Sequence, residues 1–581
     1  MPIGKRTFQS AGQISQHLIP GGYSRIDSVK GAAGLASANN GVIMGKSKGG
    51  KPQTLLQFNT RAEAVNALRG GDLMEAVRLA FNPGNDYVPQ TIYAMRVNTA
   101  AAGTLSLYET PPATNLMITV TSLDYGLWVN QIQLTLASAS PSGKKVTISY
   151  QSDEDEVFDD IVRQSFTIEY TDAACSMTIV NKSSAKTLTT TAGYFNSNPI
   201  TLTDFDTMGE MAAFINAQTD YTCTVIAGQE NASPIELDAV SGLDIYTTAK
   251  TVMSDMQAII DTINAGSARV KAVAANADVD RAVPGNVILF ITGGTEGTYD
   301  VAQWTSALVV LEAENIQFIS TPDDAVVLTG LPAQLKDHCT AMSAVTGRKE
   351  RQFLIGAPWK AAAIATEIAA AQAIAVTSNS KYGVYVFNGG TQYDVNGVLQ
   401  NRGGCFAACM LMGMACTTAI NMPLTFKTLN LIELEWALST SQLEQLTGKG
   451  VCPINYNTNG NPHCVRQIQT YQTDDLKWNE FSMAKEMLFA SRDLRAYIES
   501  LFAGKPGTSL SGGVLKGTVE ARLDMYKELG IFITNPDTGL AWWNVIISIS
   551  GDTILIDYDA YVTAPVNFMF ITNHMHEMVT L

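Results

Sequence analysis

Histidine is scarce in this chain, with five in 581 residues, and only 16% of the side chains are charged. So thin a supply of acids and bases yields no nucleophilic triad from spacing. Cysteine is also sparse. Cys175, Cys223, Cys339, Cys405, Cys409, Cys416, Cys452 and Cys464 are too few for a disulfide framework and fit a reducing compartment. Long apolar runs are missing. The start, Met1-Pro-Ile-Gly-Lys-Arg-Thr-Phe8, lacks the continuous apolar core of a signal peptide. The best membrane candidate, 403–426, is broken by Gly404, Gly413, Thr417, Thr418, Asn421 and Pro423, so it reads as a buried helix.

What is present is a chain that is 46% hydrophobic, which excludes disorder. Its length suggests about three or four domains. The net charge of −16 argues against a general nucleic-acid binder, which must neutralise phosphates. The charge is unevenly spread. Residues 1–100 carry 11 Lys/Arg against 5 Asp/Glu, whereas residues 101–285 carry 9 against 22. That shift predicts a separate, acidic middle domain.

Patterning gives a coarse organisation. Residues 1–30 read as an extended arm with a Pro-Gly-Gly turn at 20–22. A strand is expected at Gly41–Gly45, then two helix starts with capping boxes, Thr60 with Glu63 and Asp72 with Glu75. In the second helix Leu73, Val77, Ala80 and Phe81 share a face, and a strand at Thr91–Val97 follows. From 101 to 285, alternating Thr/Ser-rich segments predict a β-rich domain with a helix near Val252–Ile263. Residues 287–319 read as strand, glycine loop, helix and strand of an α/β layer that runs on to about 400. In the last part, 401–581, helices are expected at 484–502 and at Val514–Leu529. Trp543, Val545, Ile547 and Ile549, then Ile554, Ile556 and Tyr558, alternate around the turn Gly551-Asp552, a hairpin signature. A last alternating run, Val566, Phe568 and Phe570, comes near the end.

Chemical motifs are near-misses. Gly41-Val-Ile-Met-Gly45-Lys46-Ser47 has three residues between its glycines, where a phosphate-binding loop needs four, and Asn40 stands at the first glycine position. The loop Gly293–Gly297 follows a strand without dinucleotide spacing. Cys405 with Cys409, Cys452 with His463 and Cys464, and His574 with His576 do not make four convergent zinc ligands. Asp153-Glu-Asp-Glu156 with Asp159 and Asp160 lacks the calcium-loop glycine and spacing. No catalytic residue, cofactor or metal is assigned; an NTPase of the P-loop kind is the remote alternative. The strand-like segments at the chain ends leave unpaired backbone groups, either for their own domain or for a neighbour.

The order of segments resembles the contractile tail sheath proteins of phages and phage-like particles. It is carried by Leu18-Ile-Pro-Gly-Gly-Tyr-Ser24, Gly41-Val-Ile-Met-Gly45 with Gly49-Gly-Lys-Pro52, Ala64–Phe81 and Ile92-Tyr-Ala-Met-Arg-Val97. It continues in Thr292-Gly-Gly-Thr-Glu-Gly297, the small-residue helix before Asn421-Met-Pro-Leu-Thr425, Gly450-Val-Cys-Pro-Ile-Asn455, Val465-Arg-Gln-Ile-Gln-Thr470 and the helix with Arg492. The middle stretch matches only weakly, around Asp124–Gln131. The resemblance implies a mixed α/β and α+β, multidomain fold. Its discontinuous core (31–100 and 286–400) would be built from both sides of an inserted β-rich acidic domain at 101–285, followed by a tube-facing domain at 401–581. It also implies a mechanical, non-enzymatic function. Such subunits assemble in the host cytoplasm into the virion tail as stacked hexameric rings around a tube, and contract when the baseplate triggers them. The implied partners are further copies of the chain, the tail tube protein, and baseplate and neck or tail-terminator proteins. Neither nucleic acid nor membrane insertion is implied.

By the same resemblance, arm strands that pass between subunits would use Ile3, Phe8, Ile14, Leu18, Tyr23 and Ile26 at one end and Val566, Phe568 and Phe570 at the other. They would join a hairpin bearing Trp543, Val545, Ile547, Ile554 and Ile556. Tube-facing candidates are Lys485, Arg492, Arg495, Lys516, Arg522 and Lys527. The acidic insert would lie outside, where its charge keeps particles apart. The alternative is a non-contractile self-assembling protein of tube, capsid or surface-layer type.

Overall fold

Short apolar runs rich in Val, Ile and Phe build the centre of the protein. The computed structural model describes residues 39–324, 329–504, 512–550 and 552–574, together with the backbone of the strands Arg6–Ser10 and Gln13–His17. In chain order the central elements are β1 (Gly41–Gly45), β2 (Leu55–Phe58), α1 (Arg61–Leu68), α2 (Asp72–Ala80), β3 (Ile92–Arg96), β4 (Phe318–Ser320), β5 (Gln352–Gly356), β6 (Gly383–Phe387), α3 (Gly404–Thr417), β7 (Val451–Tyr456) and β8 (Pro462–Cys464). They form one eight-stranded sheet in the order β8-β7-β6-β5-β4-β1-β3-β2. The six inner strands are parallel, and only the edge strands β2 and β8 run antiparallel.

Parallel strands covered on both faces are expected to be apolar throughout, and β1, β5 and β6 are buried at every position. Alternate side chains serve two cores. Ile43, Ala94, Leu354 and Val384 face α2 and α3, while Val42, Met95, Phe353 and Tyr385 face the helices Val301–Glu312, Leu331–Met342 and Ile364–Ser378. The uncharged stretch 403–426 supplies α3, which is buried from Gly404 to Ala415. A Cβ at Gly413 would stand 2.2 Å from the Ala80 carbonyl oxygen, so α2 and α3 pack this closely only through glycine.

Residues on either side of the middle region thus share one sheet, joined where Val42 pairs with Ile319. The region between them is nested. One core takes residues from 105–161 and 256–291, and a second is drawn wholly from 166–252. The enclosing part contains the sheets Glu156–Ile161/Lys144–Tyr150/Ile132–Ser138/Val287–Phe290 and Val270–Ala274/Thr114–Tyr125/Ala102–Thr110. Val287–Phe290 therefore pairs with Ile132–Ser138 and not with the α/β sheet expected of it, because Val287 and Leu289 pack into the insert's core. The helix expected near Val252–Ile263 runs Asp255–Gly266, and Val252 lies on the strand before it.

A third region follows β8: α4 (Phe481–Phe502), α5 (Gly512–Glu528), β9 (Trp542–Ser550) and β10 (Thr553–Ala560). The α4 helix spans two environments. Phe481 belongs to the body's core, and Phe489 and Leu494 to the terminal lobe's.

One local expectation is corrected. Thr60 caps α1 as expected, accepting from the Glu63 amide. However, α2 has no side-chain cap: Gly71 is its N-cap, and Asp72 lies in the first turn. Glu75 is turned away to Arg78 at 2.7 Å and Arg402 at 3.4 Å, where burial favours a charged partner over a helix-end amide. The last alternating run, 564–572, forms no strand within the subunit.

Candidate functional site

Three features of the carboxy-terminal lobe position whatever it presents to a neighbour: the α4–α5 pair, the hairpin and the tail after Tyr561. Hairpin pairing follows the expected register around Gly551-Asp552, with Ile547 opposite Ile556. Asn544 sits at φ +55, and the register shifts between Trp543 and Ile546. This bulge re-aims the side chains. Val545, Ile547 and Ile556 pack on α4 and α5 together with Trp542, while Trp543 leaves that face and lies tilted against Tyr561, ring centroids 4.6 Å apart. Ile554 is half-buried near the tip, outside that core. Ile546 and Leu555 are exposed on the other face, and Ile549, paired with Ile554, is exposed toward the tip. Among the described residues β9 and β10 pair only with each other, so both outer edges of this two-stranded sheet are open.

Four of the six tube-facing candidates are held by contacts inside the subunit, three of them buried, which corrects the expectation for them. Arg522 makes a forked pair with Asp493 at 2.7 and 2.8 Å, joined by the Tyr526 hydroxyl. Arg492 is buried with its guanidinium near the Glu350 carbonyl, and burial lowers its pKa to about 10. Lys485 is buried too, donating to the carbonyls of Ala419 and Met422. Arg495 is half-buried and clamps the Glu350 carboxylate at 2.7 and 2.8 Å. Burial opposes the charge on Glu350, but the Arg495 fork holds that carboxyl below its usual range. Only Lys516 and Lys527 are exposed.

The tail is tied at its root. The Thr563 amide donates to Glu486 at 2.8 Å. Beyond it the backbone continues without secondary structure, and Val566, Phe568 and Phe570 are 81%, 68% and 93% exposed. Of the amino-terminal arm, Phe8 and Ile14 lie on Arg6–Ser10 and Gln13–His17, which pair antiparallel as a sheet of their own. Ile3, Leu18, Tyr23 and Ile26 lie outside the described residues.

The Lys485–Glu486 step gives a pH signature. Burial raises Glu486 to about 8 and lowers Lys485 to about 8, with Cys416 the further titratable group facing Lys485. A raised carboxyl contributes stability present below about pH 4.5 and lost as pH rises through about 8. A lowered amine contributes stability present above about pH 10.5 and lost as pH falls through about 8. Amide protection of residues 561–565, corrected for intrinsic exchange, should therefore pass through a minimum near pH 8. The acid limb should fall by at most about tenfold per pH unit. Glu486→Gln should flatten that limb; identical profiles for the two proteins would refute the assignment.

The enzyme-like motifs are built into the frame. Gly45-Lys46-Ser47-Lys48-Gly49 also has the Gly-x-Ser-x-Gly spacing of a nucleophile elbow. The Ser47 side chain is fully buried, and its hydroxyl donates to the Gly49 carbonyl at 2.8 Å. Beside it, a cleft of about 850 Å³ between body and insert is lined by Lys46, Lys48, Arg69, Trp128 and Tyr150. Arg69 lies 3.5 Å over the Trp128 ring. The glycine loop 293–297 carries Glu296, which bonds buried Arg96 at 2.7 Å. Cys405 and Cys409 are enclosed in α3, and burial raises both thiols. Among the described residues no three His, Cys, Asp or Glu side chains are placed to hold a metal ion. Of the acidic run, Glu156 caps the Ser267–Ala268 turn and Asp159 pairs with Lys145.

No protein-family model matches the chain. Two curated relatives do, over nearly their whole length. A tail sheath protein of Bacillus phage SP01 is 24% identical over 578 residues, covering 96% of this chain and 95% of the relative. A putative tail sheath protein of Enterococcus phage phiEF24C is 25% identical over 530 residues, covering 86% and 87%. The chain is a homologue of phage tail sheath proteins. The first alignment also runs through 101–285, where the sequence motifs were weakest. The fold agrees: a sheath tail protein from Listeria innocua superposes with a TM-score of 0.53 at 11% identity, covering 91% of this chain and 96% of that one. One from Desulfitobacterium hafniense gives 0.52 at 10% identity, covering 94% and 100%. These solved sheath structures share the mixed, multidomain architecture described above.

Proposed function

We propose that the chain is the repeating subunit of a contractile phage tail sheath, a structural component of the virion and not an enzyme. The near full-length match to phage tail sheath proteins carries this reading. The open-edged hairpin and the exposed apolar tail support it. Backbone pairing across subunits needs a sheet with a free edge and a strand with a gripping face, and the lobe presents both. Subunits would stack as hexameric rings around the tail tube, linked by the two arms, and would be triggered at the baseplate. The energy of contraction would reside in the difference between two lattices of the same chain. The tube-facing surface would draw on Lys516 and Lys527 of α5, and the insert with its acidic excess would lie outside. No helix among the described residues is long and apolar enough to cross a membrane.

Electron microscopy of the purified protein, alone and with its particle, tests the proposal. Hollow cylinders wide enough to surround a separate tube are expected; narrow tubes or flat sheets would count against a sheath. Deleting residues 1–20 should leave a folded subunit that makes no cylinders. Normal cylinders from that truncation would remove the amino-terminal arm from the linkage.

A further inference from the structure

The tail does more than hang free. Four residues beyond its root, Asn567 Nδ2 donates to Glu480 Oε1 at 2.9 Å. Glu480 is almost wholly buried, and the same oxygen accepts from Arg466 Nε at 2.9 Å and Nη2 at 2.6 Å. The Arg466 guanidinium also stands 5.6 Å from the centroid of the Phe568 ring. A hydrogen bond to a carboxylate out of water is of the strong kind, so this contact fixes the tail in place.

The fit is incomplete. Asn567 Oδ1 is buried without a partner, and such an atom weakens the seat. A groove of about 540 Å³ beside Phe568, lined by Phe426, Leu443 and Val465, stays open. Val566, Met569, Phe570 and Ile571 are all more than 70% exposed. The tail is thus held by one polar contact at its middle while its apolar side chains remain uncommitted. Water is a poor final environment for four such neighbours.

We propose that this is a parked position: Asn567 and Phe568 hold the tail on its own subunit, and their release frees it for a second copy of the chain. The proposal rests on the sheath reading above. The occupant is a second copy because a hairpin of nine- and eight-residue strands, β9–β10, with a free edge on each strand, exists on every subunit. Pairing 564–572 there as a strand requires its backbone and Asn567 to leave Glu480. The parked contact therefore competes directly with assembly, and free subunits stay single until it opens.

Asn567→Asp sets a carboxylate against Glu480, and Asn567→Ala removes the bond without adding charge; both spare the apolar side chains. In each free variant, hydrogen exchange of amides 561–568 should rise about tenfold, the loss expected for one such bond. The lag before cylinders form should shorten by about the same factor. Exchange unchanged in both variants overturns the parked contact. Raised exchange with an unchanged lag overturns its control of assembly while leaving the sheath reading intact. A wild-type subunit that never forms cylinders, whatever stands at 567, overturns the sheath reading and the gating together.

Discussion

Serine at Val566, Phe568 and Phe570 together yields a folded subunit that no longer assembles. These side chains are exposed in the single subunit, and such positions usually change stability by no more than about 0.5 kcal/mol. In a neighbour's sheet, each apolar side chain fully buried contributes about 1.5–3 kcal/mol. Three of them at every junction amount to roughly 5–9 kcal/mol, or more than about a thousandfold in association. The backbone bonds that survive fix register but, exchanged for bonds to water, add little net affinity. Circular dichroism should report an unchanged fold, and sedimentation should find the protein only as monomer. Cylinders at wild-type concentrations would show that the tail is not the linking strand.

A second large effect is expected from Arg96→Met, far from any arm. Arg96 is fully buried where the insert leaves and rejoins the body. Its guanidinium donates to Asn98 Oδ1 at 3.1 Å, to the carbonyls of Gly50 and Tyr125 at 3.0 Å, and to Glu296 at 2.7 Å. One side chain thus ties a body strand, a body loop, the outgoing chain and the returning glycine loop. Gly126, at φ +115, brings the outgoing chain so close that a Cβ would lie 2.4 Å from the Lys48 carbonyl oxygen. Methionine fills the stem's volume but removes all these bonds; the Glu296 carboxylate, about a fifth exposed, keeps the Leu127 amide, while the Gly50 and Tyr125 carbonyls lose their donor, at a cost of about 1–3 kcal/mol. The insert has cores of its own, so the loss should appear locally. Protease cleavage near 97–101 and 292–298 should rise steeply while 102–291 survives as a resistant fragment. Unchanged cleavage there would mean that the junction is held by the surrounding backbone alone.

The body was largely legible in the sequence because parallel strands buried on both faces are short uncharged runs. The hairpin was legible because Gly551-Asp552 separates two alternating segments. Nothing in the alternation of 101–285 distinguished two nested cores: Gln164–Tyr170 pairs with both Tyr221–Val225 and Lys250–Met253, and pairing at such separations leaves no local trace. The buried cations misled for a related reason. Arg492 and Arg495 meet Glu350 more than 140 residues away, and Arg522 meets Asp493 on another helix. On a helical wheel each reads as surface charge. Trp543 was misplaced by the single residue Asn544, whose positive φ no periodicity announces. The tail's apolar alternation was legible; its parking contact, made by one amide on a buried carboxylate, was not.

The pairing of β1 with β4 has a consequence for how the chain is made. Residues 41–45 can join β3 early, but their other edge stays open until residues 318–320 have been synthesised. At about 5–20 residues per second, the stretch between β3 and β4 occupies a ribosome for roughly 10–45 s. Both cores of the insert are complete by residue 291. The part that looks like an addition to the body is therefore the first to fold, and it holds the two ends of an unfinished sheet side by side while the remaining strands are synthesised.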